Sequence, residues 1–453
     1  MLTILLGLLL SIYHPPVSYE MSLAGNFGEP RPNHFHGGID VKTDGVEGKP
    51  IYAIGDGYVS RVTMSKSGFG NAVYVTHPEG YTSIYCHLRS FSPRIQKTMR
   101  RYQYTHETSE GDARFSPLEC PVSQGQLIAL SGNTGNSSGP HLHLEIHDTE
   151  SWNMLDPCDF IGDFISDSVP PRAHGLMVYP QAGQGVFCGS AAKQAFTVNG
   201  NSLSRPLKAW GKVGFALWAD DYMQGSANHF GIRETILTVD SQEVFRAVVN
   251  NIPTSSNRLV NAWGDYDQWR KNRTWYMKSF VEPGNPLPVI KADANRGIVN
   301  FSEERDYHLE YTLTDAFGNE SRYSFVVHGE RQPIPPPEAF SFSNLLRWER
   351  INSFQLPGLQ LVVRPGSLAS NMLLAPEVEY ADDALSDIYT LRASSSPVVR
   401  HALLSIRLKQ DVPDTSRLFL DCDGYNMGGT YENGWLTAAV YDLGGTFQIK
   451  QRD

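Results

Sequence analysis

Short runs of β-branched and aromatic residues, each broken by Gly, Asn, Asp or Pro, recur along the whole chain, as in "NAVYVTHPEGYTSIYCHL" (71–88) and "RYSFVVHGE" (322–330). An apolar/polar period of two builds strands, and a 3.6-residue period is scarce here, so few helices are expected. The expected fold class is all-β. One polar stretch, "SPRIQKTMRRYQYTHETSEGD" (92–112), reads instead as a helix or a surface excursion. At 453 residues the chain exceeds one ordinary core, and two to three domains are expected.

Proline marks two joints, "DSVPPRAHG" (167–175) and "ERQPIPPPEAF" (330–340), which read as semi-rigid linkers. They divide the chain into units at 14–166, 167–330 and 338–453. The middle unit holds "YHLEYTLTDAFGNESRYSFVV", two strands joined around Asp315–Asn319, as in a β-sandwich hairpin. The C-terminal unit is β-rich and stops inside strand-like sequence, the pattern of an incomplete domain. Residues 1–13, "MLTILLGLLLSIY", are too few to span a bilayer but suit the apolar region of a signal peptide. Export is therefore expected, with no other segment apolar enough for a transmembrane helix. A net charge of −10 argues against a nucleic-acid partner. The five cysteines contain no C-x-x-C pair, and most of them read as buried free thiols.

Chemistry concentrates in "RPNHFHGGIDVK" (31–42) and "SGNTGNSSGPHLHLEI" (131–146). His141 and His143 share one face of a strand, roughly 6.6 Å apart, and can address one small site. His36 and Asp40 would stand roughly 13 Å apart on a straight strand. Gly37 and Gly38 between them permit a bend. Two imidazoles and a carboxylate suit Zn²⁺ with one open position, the pattern of a catalytic rather than a structural site. His87, in "YTSIYCHLRS" (81–90), follows a strand pattern and is placed to stand beside the metal.

"HFHGGID", "YCHL" and "GNTGNSSGPHLHLEI" together resemble the three signatures of the lysostaphin-type zinc metallopeptidases, bacterial peptidoglycan endopeptidases with a duplicated hybrid motif fold. "KPIYAIGDGYVSRV" and "PVSQGQLIALSGNTG" resemble that family's glycine-turned hairpins, so the resemblance covers roughly residues 24–147. It implies an antiparallel β-barrel-like or sandwich peptidase domain over 14–166, and the alternating pattern of the other units adds two β-sandwich-like domains after it. It implies His36, Asp40 and His143 as ligands of one Zn²⁺, and His141 and His87 as unligated catalytic histidines. The implied substrate is the peptide stem of peptidoglycan, at a periplasmic, envelope-associated or extracellular location. Envelope proteins are candidate partners of the two C-terminal units. Residues 89–119 form a longer insertion than the family usually carries, expected to border the groove.

Rival readings are specific. His34 shares the extended face of His36, but spacing to Asp40 favours His36, leaving His34 as a groove or surface residue. His77 reads as a turn or packing histidine, and Glu145 as a residue supporting the ligands. Strand alternation places Cys86 on the face opposite His87, as a core thiol. The glycines of 131–140 lack the Lys-Ser/Thr ending of a phosphate loop and read as a tight turn. Most aromatics of 261–280 read as packing. The alternative function is a non-hydrolytic wall-binding or regulatory protein on the same fold. A cupin-like barrel built on H-x-H fits poorly, since Glu145 is too close and the H-x-x-x-D motif comes first.

Overall fold

The computed structural model describes residues 13–200, 202–203, 206–394 and 398–452. Nearly all of the leader-like segment, residues 1–12, lies outside them. The chain is mostly strand, in agreement with the alternating sequence pattern. The polar exception at 92–112 is the helix Pro93–His106, opened by proline in its first turn and closed at Glu107 in the left-handed conformation. No helix among the described residues is long and apolar enough to cross a membrane.

In the N-terminal unit one sheet runs in the order Leu23–Gly25, Ile39–Lys42, His141–Asp148, Tyr81–Cys86, Ala72–Thr76, Gly57–Met64 and Gly111–Arg114. Each neighbouring pair is antiparallel. A small sheet of Pro50–Tyr52, Leu127–Leu130 and Ser90–Phe91 stands beside it. Leu142, Leu144 and Ile146 join Ile39, Val41 and Tyr85 in one buried apolar cluster. Strand alternation therefore puts His141, His143, Glu145 and His147 on the opposite face, away from that cluster. This alternation is what gathers ionisable groups on one surface.

The middle segment forms an eleven-stranded sheet that includes the long strands Arg172–Phe187 and Leu207–Asp220. Because that first strand begins at Arg172, only the beginning of the 167–175 stretch acts as a connector. Asp306–Thr314 and Glu320–Gly329 pair as a hairpin around Asp315–Asn319. Residues 346–449 contribute a separate apolar cluster, flanked by two five-stranded sheets. All five cysteines are free, as expected, but only Cys86 and Cys120 are buried, while Cys158, Cys188 and Cys422 are partly exposed.

The middle segment joins the N-terminal sheet directly. Met154–Leu155 pair antiparallel with Asn251–Ile252. Asn257 Oδ1 accepts from the Phe35 amide at 2.6 Å, and Asn261 Oδ1 from the Asn33 amide at 3.0 Å. These bonds clamp the stretch that leads into His36.

Candidate metal centre

The Ile39–Lys42 strand lies beside His141–Asp148, with Asp40 opposite His143 in register. The bend from His36 to Asp40 has a different origin from the one expected. Neither Gly37 nor Gly38 adopts positive φ. A Cβ on Gly38 would meet the Leu144 carbonyl oxygen at 2.1 Å, and one on Gly37 would meet Glu145 Oε1 at 2.5 Å. The glycines are needed because the chain crosses against the neighbouring strand where no side chain fits.

The outcome is a convergence of three donors. His36 Nε2 stands 3.1 Å from Asp40 Oδ1 and 2.9 Å from His143 Nδ1, and His143 Nδ1 is 2.8 Å from Asp40 Oδ1. Ligands arranged tetrahedrally at about 2.0–2.1 Å from one ion stand about 3.3 Å apart, close to these separations. The three residues form a buried group able to hold a metal ion.

The remaining polar atom of each donor is occupied elsewhere, which leaves the converging atoms free. His36 Nδ1–H donates to the Asn26 carbonyl at 2.6 Å, so Nε2 carries the lone pair. His143 Nε2–H donates to Glu145 Oε1 at 2.9 Å, which leaves Nδ1 as the ligand atom. Arg31 Nη2 donates to Asp40 Oδ2 at 2.9 Å, so Oδ1 faces the imidazoles. His147 Nε2–H donates to the second oxygen of Glu145 at 2.6 Å and fixes that carboxylate.

Electrostatics follow from this wiring. Burial pushes His36 down to about 4. Burial opposes protonation of His143 too, yet hydrogen bonds to Asp40 and Glu145 outweigh it and push His143 up to about 9. Burial opposes ionisation of Asp40, but His36, His141 and His143 hold its carboxyl well below the usual range. Glu145 is likewise held low, against burial, by His143 and His147. An ion at this position displaces the His143 proton, so occupancy weakens in acid. Glu145→Gln is expected to lower metal affinity about 10- to 100-fold, read by competition with a chelating dye.

The two further histidines stand at the same place. His141 Nδ1–H donates to the Gly139 carbonyl at 2.8 Å, and its Nε2 lies 3.5 Å from Asp40 Oδ1. His87 Nδ1–H donates to the Thr134 carbonyl at 2.8 Å, and its ring centre is 4.9 Å from that of His141. Burial, and then the charge of His143, push His87 down to about 4. In both side chains Nε2 is the ring atom not tied to a backbone carbonyl.

His87 sits at φ +58°, which breaks strand alternation. Cys86 is accordingly not turned away from the site: it packs with Ala72, Tyr74 and Ile84, and the latter two line the groove. It is nonetheless fully buried, and burial raises its pKa well above an ordinary thiol's. His34 is exposed and lines the groove without joining the three donors. His77 is a packing residue, bonded to the Asp56 carbonyl and Ser83 Oγ. In the aromatic stretch 261–280, Trp263 and Tyr276 are buried, while Tyr266, Trp269 and Trp275 stack on one another.

The groove over the donors encloses about 880 Å³. Asn136–Pro140 line it, and Asn228, Thr254 and Asn257 of the middle segment contribute to its wall. The 89–119 insertion contributes none of the lining residues. Its strand Gly111–Arg114 instead extends the sheet beyond Gly57–Met64, so the expectation that it borders the groove is not met. Arg31 and His147 escaped sequence reading. The period-two run His141, His143, Glu145, His147 was the available signal for His147; nothing local marks Arg31.

Comparison with known proteins bears on the same segment. Residues 34–105 match the Peptidase family M23 model, a span that includes His36, Asp40 and His87. Residues 343–451 match that of the Zu5-like domain. A DD-carboxypeptidase/endopeptidase Mpg of Neisseria meningitidis is 34% identical over 110 residues, covering 24% of this chain and 19% of that protein. Peptidoglycan DD-endopeptidase ShyC of Vibrio cholerae is 36% identical over 98 residues, covering 22% of this chain and 17% of that protein. A solved zinc-containing peptidase from Vibrio cholerae is 27% identical, covering 31% of this chain and 37% of that one, with a TM-score of 0.23. The chain thus spans about a fifth of the length of these curated relatives. In its motifs and in this match, the N-terminal unit carries a domain of peptidase family M23, the lysostaphin-type metallopeptidases.

Proposed function

We propose that this chain is an exported, zinc-dependent endopeptidase that hydrolyses peptide cross-links of bacterial peptidoglycan. The observation that carries the reading is the convergence of His36 Nε2, His143 Nδ1 and Asp40 Oδ1, each with its other polar atom already engaged. Two nitrogens and one carboxylate oxygen, with no thiolate, form a donor set that fits Zn²⁺ in a hydrolytic rather than a structural site. Zn²⁺ held by these residues supplies a Lewis acid that activates water and polarises the scissile carbonyl. The peptidoglycan endopeptidases among the relatives support the substrate class.

This chain's own groups do the rest. His141 and His87, each with Nδ1–H tied to a backbone carbonyl, present Nε2 toward the site. One takes the proton of the attacking water at Nε2 and returns it to the leaving amine, while the other, in its protonated form, donates Nε2–H to the developing oxyanion. Arg31 and Glu145 keep Asp40 and His143 oriented. The middle segment completes the groove wall and positions the peptide stem, and the C-terminal unit meets wall or envelope partners.

The test is mass spectrometry of fragments released from defined cross-linked peptidoglycan. Chelator-treated protein should release none, and added Zn²⁺ should restore cleavage. His141→Ala should still bind zinc without cutting. Full activity of the metal-free protein would overturn the mechanism, and wall binding by the wild type without any cleavage would favour the regulatory alternative.

A further inference from the structure

A second acidic group, none of whose members lines the groove, lies where the connector at 167–171 meets the middle sheet. Asp167 comes from that connector, Asp221 directly follows the strand Leu207–Asp220, and Asp315 opens the hairpin turn between Asp306–Thr314 and Glu320–Gly329. One carboxylate oxygen from each lies within 4.8 Å of the others. Asp221 and Asp315 are 4% and 3% exposed.

Two of these carboxylates, Asp167 and Asp221, each keep a buried oxygen without a partner. No Lys, Arg or His forms an ion pair with any of the three among the described residues. Asp315 is satisfied inside its own turn: Oδ1 accepts from the Phe317 and Asn319 amides at 2.8 Å, and Oδ2 from Asn319 Nδ2 at 2.7 Å. Asp167 Oδ1 accepts from the Val169 amide at 3.0 Å. Asp221 Oδ1 and Asp167 Oδ2, in contrast, are buried with no hydrogen-bond partner. A buried carboxylate oxygen without donor or counter-charge is costly, and two facing one another alongside a third carboxylate more so. Burial, followed by the charge of Asp315, pushes Asp221 up to about 8.

We infer that Asp167, Asp221 and Asp315 form a calcium site that fastens the N-terminal unit to the middle sheet. An all-oxygen donor set selects a hard cation. Oxygens about 2.3–2.6 Å from one Ca²⁺ stand at most about 5 Å apart, a limit these oxygens satisfy, and Ca²⁺ tolerates irregular geometry with water completing the shell. Mg²⁺ demands a tighter, near-octahedral arrangement. The site lies at a joint: Phe317, beside Asp315, and Met223 and Phe230, near Asp221, all pack on the apolar cluster of the N-terminal sheet. A cation shared by the connector and two elements of the middle sheet therefore fastens the connector to that sheet beside its packing on the N-terminal core.

The test uses the full chain in equilibrium dialysis at about 1 mM Ca²⁺, the range of extracellular calcium modules, with bound metal counted by mass spectrometry. Wild type and His143→Ala should each bind one Ca²⁺ per chain, because the nitrogen-rich groove centre plays no part. Asp221→Asn, which keeps shape and removes charge, should bind none. The wild type should melt at a higher temperature with Ca²⁺ than without it, and Asp221→Asn should show no such shift. Asp221→Asn should fold, since it relieves like-charge crowding, and Asp167→Asn on the connector gives an independent loss of binding. A wild type that retains no Ca²⁺ and melts identically with and without it, or an Asp221→Asn that binds as much as the wild type, would overturn the site.

Discussion

Asp40→Ala is expected to give a folded protein that holds no zinc and cleaves no cross-link. Asp40 Oδ1 lies within hydrogen-bond reach of His36 and His143 and 3.5 Å from His141, while Oδ2 is held by Arg31. Removing this carboxylate deletes one of the three proposed ligands and the charge that holds the two imidazoles on a common point. The metal's contribution to the transition state, several kcal/mol, goes with it, so kcat/KM should fall by about 10⁴-fold or more. The fold should survive, because Arg31 keeps Glu29 as a partner at 3.5 Å and the strand's apolar residues are untouched. Metal content, thermal melting and fragment release measured on one preparation separate the outcomes. Wild-type cleavage by Asp40→Ala would dismiss the metal centre, while a collapsed melting transition would give Asp40 a structural role instead.

Gly38→Ala should have the largest effect on stability of any single methyl added near the site. The new Cβ would stand 2.1 Å from the Leu144 carbonyl oxygen and 2.7 Å from its carbonyl carbon, both backbone atoms with no freedom to rotate away. Relief requires prising Ile39–Lys42 off His141–Asp148, where Ile39 pairs with Leu144. That separation costs about 3 kcal/mol or more and carries His36 and Asp40 away from His143, so zinc affinity and cleavage should fall together. Gly139→Ala is the matched control: its Cβ meets nothing within 4 Å and its φ is not positive, so it should melt within about 0.5 kcal/mol of wild type. Equal melting of the two variants would mean that the strands do not approach as closely as described.

Much of the site was legible before any coordinates. The period-two run HLHLEIHD puts every polar member on one face and every apolar member in the core, because successive strand side chains point to opposite sides. The spacing in "HFHGGID" also favoured His36 over His34, and it is His36 that stands beside Asp40 while His34 is exposed. Its glycines misled only in their reason: they serve the approach of one strand to another, a contact between residues more than 100 positions apart that no local pattern encodes. Cys86 went to the unexpected face because His87 takes φ +58°, a single backbone angle that cancels the alternation rule.

Alternation, donor chemistry and motif order by themselves determined that the chain is β-rich and that His36, Asp40, His87, His141 and His143 belong to one constellation. These are properties of short windows, where spacing dictates which way a side chain faces. Only the tertiary structure decided that Arg31 takes the second oxygen of Asp40, that Glu145 and His147 orient His143, and that the middle segment rather than the 89–119 insertion walls the groove. Only it brings Asp167, Asp221 and Asp315 together. Such contacts are set by how sheets pack and cross over between distant segments, and sequence separation carries no information about which distant atoms will meet.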